Sequence, residues 1–240
     1  MSGHSHAKTV MATKMANAAK KGKIFSKMGR LITIAAKDGG DPNKNSKLKA
    51  AIDQAKSFDM PKENIDRAIK KGTGELAGEN LEEVIYEGFG PGGIALIMEG
   101  ITDNSNRTLS EVKVTLNQHN GKLAGEGAVK WMFERKGDIV ISNGENNINK
   151  EEFEMVAIDA GADDIQWGQG EIYVYTKPED LDNVKRNLEE KQYKIESASL
   201  SFVAKEEVAV TDREKEQAQE LFEALDENDA VNNVYSNLKN

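Results

Sequence analysis

Apolar residues recur with helical periodicity three times between residues 20 and 74 and then give way to short runs of strand character. In the first repeat Ile24, Phe25, Met28, Leu31, Ile32 and Ala35 form one stripe at a period near 3.6, which predicts an amphipathic helix. Asp38-Gly39-Gly40-Asp41-Pro42 ends it, because paired glycines reach positive φ at low cost and proline cannot continue a helix. A second helix turns Leu48, Ala51, Ile52, Ala55 and Phe58 inward. Pro61 suits the first position of a third, whose inner face is Ile65, Ala68 and Ile69 and which stops at Gly72 and Gly74. Before them, residues 1–19 carry only a thin apolar stripe and are expected to form a mobile arm.

After Gly74, residues 81–86 predict a strand, Glu87-Gly88-Phe89-Gly90-Pro91-Gly92-Gly93 a tight turn, and Ile94 to Met98 a second, wholly apolar strand. The glycine turn lacks the Gly-Lys-Ser/Thr ending of a nucleotide-binding loop and joins strand to strand, so a hairpin is expected. Thr108 and Glu111 have the spacing of a capping box at the head of a helix through Leu109, Val112 and Leu116, and residues 128–133 predict the next strand, with Trp131 and Phe133 on one face. From Gly137 the order strand (138–142), helix (150–160), hairpin (165–167 and 171–176), helix from Pro178 and strand (195–203) is the βαββαβ pattern of a ferredoxin-like sandwich. The tail adds a Thr211/Glu214 capping box, a helix through Ala218, Leu221, Phe222 and Leu225, and a strand over 230–235. One helix and one strand cannot stand alone, and residues 81–134 lack a second helix, so the tail is expected to fold back onto that unit.

The reading is therefore α+β: an N-terminal basic three-helix domain (20–76), then two ferredoxin-like α/β sandwich domains. The middle one is discontinuous (77–135 plus 206–240), with 136–205 inserted into it.

Charge sharpens the picture. Residues 1–72 hold sixteen Lys/Arg against six Asp/Glu, whereas the other 168 hold sixteen against thirty-five, so a net charge of −9 hides a strongly dipolar chain. A basic helical segment on an acidic body suits a polyanion-binding module, because neutralising phosphates releases their counterions. The candidate phosphate contacts are Lys20, Lys21, Lys23, Lys27, Arg30, Lys37, Lys47, Lys49, Lys56, Lys62, Arg67, Lys70 and Lys71. Asp103, Asn104, Asn106 and Arg107 crowd the start of a helix; they either satisfy the turn and cap or offer a contact to an anionic or peptide partner.

Other chemistries find little support. There is no cysteine, hence neither a thiol nucleophile nor a Cys-based metal site, and His4 and His6 have no third ligand in sight. His119 sits at a helix end, where capping suits it better than catalysis, and no His–carboxylate pair has catalytic spacing, so no enzyme, metal or cofactor is expected. No apolar run has the length to span a bilayer. A cytoplasmic monomer is expected.

Gly3-His4-Ser5, Gly22-Lys23-Ile24-Phe25-Ser26-Lys27, Ala35-Ala36-Lys37-Asp38-Gly39-Gly40, Asn64 to Gly72, Tyr86 to Gly93, and Thr102-Asp103-Asn104 with Asn106-Arg107-Thr108 follow one another in an order that resembles the YebC/PmpR family. The resemblance covers essentially the whole chain. One departure lies in the arm, where the family pattern continues with Lys-Trp and this chain has His6-Ala7. Such proteins are three-domain and cytoplasmic, and most are named probable transcriptional regulatory protein; a mitochondrial relative activates translation of a cytochrome oxidase subunit, and bacterial relatives are connected with relief of ribosome stalling. The resemblance thus implies a non-enzymatic, nucleic-acid-binding regulator of gene expression acting on DNA, or, as the alternative that the charge layout favours slightly, a translation factor bound to ribosomal RNA or the ribosome. An interaction scaffold built on the acidic domains is a third reading.

Overall fold

The computed structural model describes residues 18–143, 148–168 and 170–239. These residues form two compact units, one of 132–207 and the other of 18–131 together with 208–238. Of the arm expected over 1–19, only Ala18 and Ala19 fall within the described residues, and they are helical. Seven α-helices and two antiparallel four-stranded sheets make up the described residues.

In the larger unit, helix α1 (Ala18–Ala35), α2 (Ser46–Ser57) and α3 (Lys62–Gly72) close around Ile24, Met28, Ile32, Leu48, Ala55 and Ile65, a core separate from that of the sheet. The Asn45 side chain makes the corner between α1 and α2. It caps α2 by accepting from the Leu48 N–H at 3.0 Å and donates to the Ala35 and Gly39 carbonyls at 2.8 Å each. Gly72 lets α3 end against α1, for a Cβ there would lie 2.3 Å from the Thr33 carbonyl oxygen.

The same unit carries β1 (Glu82–Phe89), β2 (Ala95–Thr102), α4 (Ser105–Gln118), β3 (Lys122–Ala124), α7 (Asp212–Asp226) and β8 (Val231–Ser236), in the strand order β3-β1-β2-β8. The C-terminal strand pairs antiparallel with β2, which lies between β1 and β8. Its continuous apolar run suits this central place. Helices α4 and α7 pack Val112, Leu116, Leu221 and Phe222 onto Leu96 and Met98. The glycine turn between β1 and β2 is a hairpin, with Gly92 and Gly93 at positive φ.

Three expectations are corrected here. Residues 128–133 do not form a strand: Lys130–Met132 is a 3-10 turn, Trp131 is 64% exposed, and the third strand of the sheet is β3. The cause is Glu87, a buried carboxylate on β1 that accepts from the backbone N–H groups of Gly127, Val129 and Lys130 at 2.6–2.9 Å and pins the segment as a turn. Thr108 and Glu111 do not make a capping box, because α4 starts a turn earlier with Asn104 as its cap, and the Thr108 hydroxyl is spent, buried, on Thr102 at 2.9 Å. Finally, this sheet follows ββαβ…αβ connectivity and is not ferredoxin-like.

The smaller unit holds β4 (Phe133–Ser142), α5 (Lys150–Ala160), β5 (Asp164–Trp167), β6 (Glu171–Thr176), α6 (Leu181–Glu190) and β7 (Ile195–Ala204). Its order, β5-β6-β4-β7, is that of a split β-α-β sheet, with Ile139, Ile141, Ile172 and Val174 covered by Phe153, Ala157, Val184 and Leu188 of the two helices.

Candidate nucleic-acid interface

The basic residues of the helical segment divide into two groups. On α3, Ile65 and Ala68 face the core, so Arg67, Lys70 and Lys71 at i, i+3 and i+4 share the outer side and are exposed. Lys62 at the head of α3 and Lys49 on α2 are likewise exposed. None of these five has an ion pair among the described residues. Among the described residues Lys56 pairs with its helical neighbour Asp53 alone, at 3.9 Å and in solvent, a contact of little strength. Lys21 is exposed on α1, and the Lys20 side chain lies outside the described residues.

The remaining five candidates are engaged by the rest of their own unit. Lys23, Lys27 and Arg30 fall at i, i+4 and i+7, a second face of α1 beside its apolar stripe, and this face meets the end of α7. Lys23 pairs with Glu227. Arg30 donates to the carbonyls of Asp229 at 3.3 Å and Ile101 at 3.4 Å. Lys27 is 2% exposed, its ammonium held by the Asp226 carbonyl at 2.7 Å and carboxylate at 3.0 Å. The candidate phosphate contact Lys27 is therefore corrected to a buried link between α1 and α7. Lys37 donates to the Leu81 carbonyl at 2.5 Å, and Lys47 lies 3.5 Å from Glu83. The Glu227 hydrogen bond raises the Lys23 pKa, with burial opposing it.

Sequence reasoning missed the acidic half of this contact, yet a signal was there. Helix α7 ends on Asp226 and Glu227 with no basic residue in its last turn. Carboxylates at the negative end of a helix are unfavourable unless cations come from elsewhere. Here α1 provides them.

The polar residues at the head of α4 satisfy the local backbone. Asn104 accepts from the Arg107 N–H at 3.0 Å, Arg107 pairs with Asp103 at 2.6 Å, and the Asn106 carbonyl accepts from Ser110 at 2.9 Å. Arg107 also lines an open cleft of about 410 Å³ with Lys23, Arg30, Thr108, Glu111, Glu227 and Asp229. Three cations and three carboxylates line it, so their formal charges cancel. Among the described residues no group of three or more His, Asp or Glu is placed to hold a metal, and no helix is long and apolar enough to cross a membrane.

Comparison with known proteins bears on this arrangement. A family model described as the TACO1/YebC second and third domain matches residues 81–238, and another described as the TACO1/YebC protein N-terminal domain matches residues 5–75. The chain belongs to the TACO1/YebC family. Its relatives include a probable transcriptional regulatory protein of Thermoanaerobacter pseudethanolicus, 46% identical over all of this chain and 97% of the relative. Another of that name, from Thermotoga maritima, is 47% identical over all of this chain and 94% of its own. The crystal structure of a conserved hypothetical protein from Aquifex aeolicus superposes with a TM-score of 0.85 at 43% identity, covering 92% of this chain and 91% of the other. Both of these relatives carry the name of a transcriptional regulator.

Proposed function

We propose that this TACO1/YebC-family chain is a non-enzymatic, nucleic-acid-binding regulator of gene expression that contacts phosphates through the outer side of α2 and α3. The observation that carries the reading is the exposure of Lys49, Lys56, Lys62, Arg67, Lys70 and Lys71 on these two short helices. Exposed cations bind phosphate at little cost in broken internal bonds, the weak Lys56–Asp53 contact being the one at stake, whereas Lys27 would have to leave a buried partner. The name shared by the relatives, probable transcriptional regulatory protein, supports the regulatory part. No zinc site or paired stacking aromatics accompany the basic face among the described residues, so contacts run to the backbone and sequence selectivity is weak.

Charge favours a second reading, in which the polyanion is ribosomal RNA and the chain acts in translation. Residues 73–240 carry thirty-five acidic against sixteen basic side chains. Long flanking duplex repels such a body, whereas a pocket in folded RNA can admit the basic helices alone. Crosslinking in cells followed by sequencing of the bound nucleic acid separates the two.

The test of binding itself is salt dependence. Six phosphate contacts imply a loss of roughly a thousandfold in affinity between about 50 and 200 mM salt. The triple variant R67A/K70A/K71A flattens the log–log slope by about three. A slope untouched by the triple variant would remove α3 from the interface.

A further inference from the structure

Five oxygens of one short stretch, the carbonyls of Asp226, Glu227 and Asp229 and the carboxylates of Asp226 and Glu227, face three cations of α1. The stretch follows α7, so the negative end of a fifteen-residue helix adds to Asp226, Glu227 and Asp229. This set of oxygens offers α1 what a phosphate chain would offer it: closely spaced acceptors carrying negative charge. The three contacts differ in depth. Lys27 is sealed, at 2% exposure, whereas the Lys23–Glu227 pair is open to water, with side chains 43% and 51% exposed, and Arg30 is only partly covered. A buried link holds; an open ion pair exchanges partners readily.

We propose that residues 226–229 act as an internal phosphate mimic that competes with the polyanion for α1, with Lys27 as the permanent anchor and Lys23 as the exchangeable cation. The proposal rests on the reading that α2 and α3 bind phosphate and adds its regulation: the chain has a closed form, in which the contact face is α2 and α3 alone, and an extended form, in which Lys23 has passed from Glu227 to a phosphate. The number of phosphates bound is then set by the acidic turn as well as by the basic helices.

Two measurements on the full chain test it. Lysine acylation read by mass spectrometry needs no nucleic acid. Against the exposed references Lys49 and Lys62, Lys23 and Lys27 are protected in the wild type; in E227Q/D229N, Lys23 becomes at least about threefold more reactive, as loss of an ion pair frees its amine, while Lys27 stays protected. Unchanged Lys23 reactivity overturns the proposal. The second measurement is binding of a short RNA hairpin, and of a DNA duplex of equal length, across a salt series. E227Q/D229N binds more tightly with a slope steeper by about one, and K23A cancels that gain, a larger loss in the variant than the same substitution causes in the wild type. The control E151Q/E152Q removes the same charge from α5 and leaves the slope as it is. An equal rise in the control, or a K23A loss as large in the wild type as in E227Q/D229N, overturns the proposal. If the wild type binds neither probe, the proposed function fails while the acylation result still judges the turn.

Discussion

Removing one partner of the Lys27–Asp226 link is the sharpest physical test of how α1 is seated. In the wild type the ammonium has two oxygens at 2.7 and 3.0 Å, and the two side chains are 2% and 13% exposed. Asp226→Ala strips the carboxylate from a desolvated cation and keeps the carbonyl bond. Breaking a buried pair from one side costs about 3–5 kcal/mol, and the surviving carbonyl bond places this case near 3 kcal/mol. For a unit of this size that is a drop of roughly 6–12 °C in Tm. Lys27→Met replaces the charge with an unbranched apolar side chain of similar length. Its partner Asp226 retains some solvent, so the cost is smaller, about 1 kcal/mol. The asymmetry makes a double-mutant cycle informative: K27M/D226A should lie closer to wild type than D226A does, with a coupling of about 2 kcal/mol. Urea denaturation followed by far-ultraviolet circular dichroism reads all four proteins. A D226A protein within about 1 kcal/mol of wild type, or a K27M protein as damaged as D226A, would refute the burial argument.

Two further outcomes follow from the same packing. Burial pushes the Glu87 carboxyl up, but its three backbone N–H bonds outweigh that and hold it below the usual range. A depressed carboxyl stabilises the fold above the unfolded value, near pH 4.3, and loses that contribution as pH falls through the folded value. Glu87→Gln should therefore cost about 2–4 kcal/mol at neutral pH, with the gap to wild type closing below about pH 4 in denaturation curves; a gap constant with pH would count against it. Gly72→Ala sets two effects against each other. Helix propensity favours alanine by about 1 kcal/mol, but the new Cβ would sit 2.3 Å from the Thr33 oxygen and 2.6 Å from the Ala36 Cβ. Sterics should win, for a net loss of about 1–3 kcal/mol by the same denaturation assay, and a stabilised variant would show that α3 does not approach α1 so closely.

What the sequence determined by itself is local. The stripes of α1, α2 and α3 were legible because a helix repeats every 3.6 residues whatever surrounds it, and Thr211 with Glu214 spelled a capping box that the structure contains. The strand and helix order of 137–204 was legible for the same reason. Where such signals misled, a distant residue had intervened. Trp131 and Phe133 alternate like a strand, yet Glu87, some forty residues away, holds the segment before Phe133 as a turn. Thr108 and Glu111 spell a capping box, yet Asn104 takes the cap once Thr108 is buried against Thr102. Above all, the lysines of α1, α2 and α3 look alike along the chain. Lys27 became a buried link because Asp226, 199 positions later, meets it there, while Lys70 and Lys71 stayed in water. A charged side chain has no periodic signature of its own; whether it binds outward or inward depends on which opposite charge the completed fold brings within reach, and only the tertiary structure decides that.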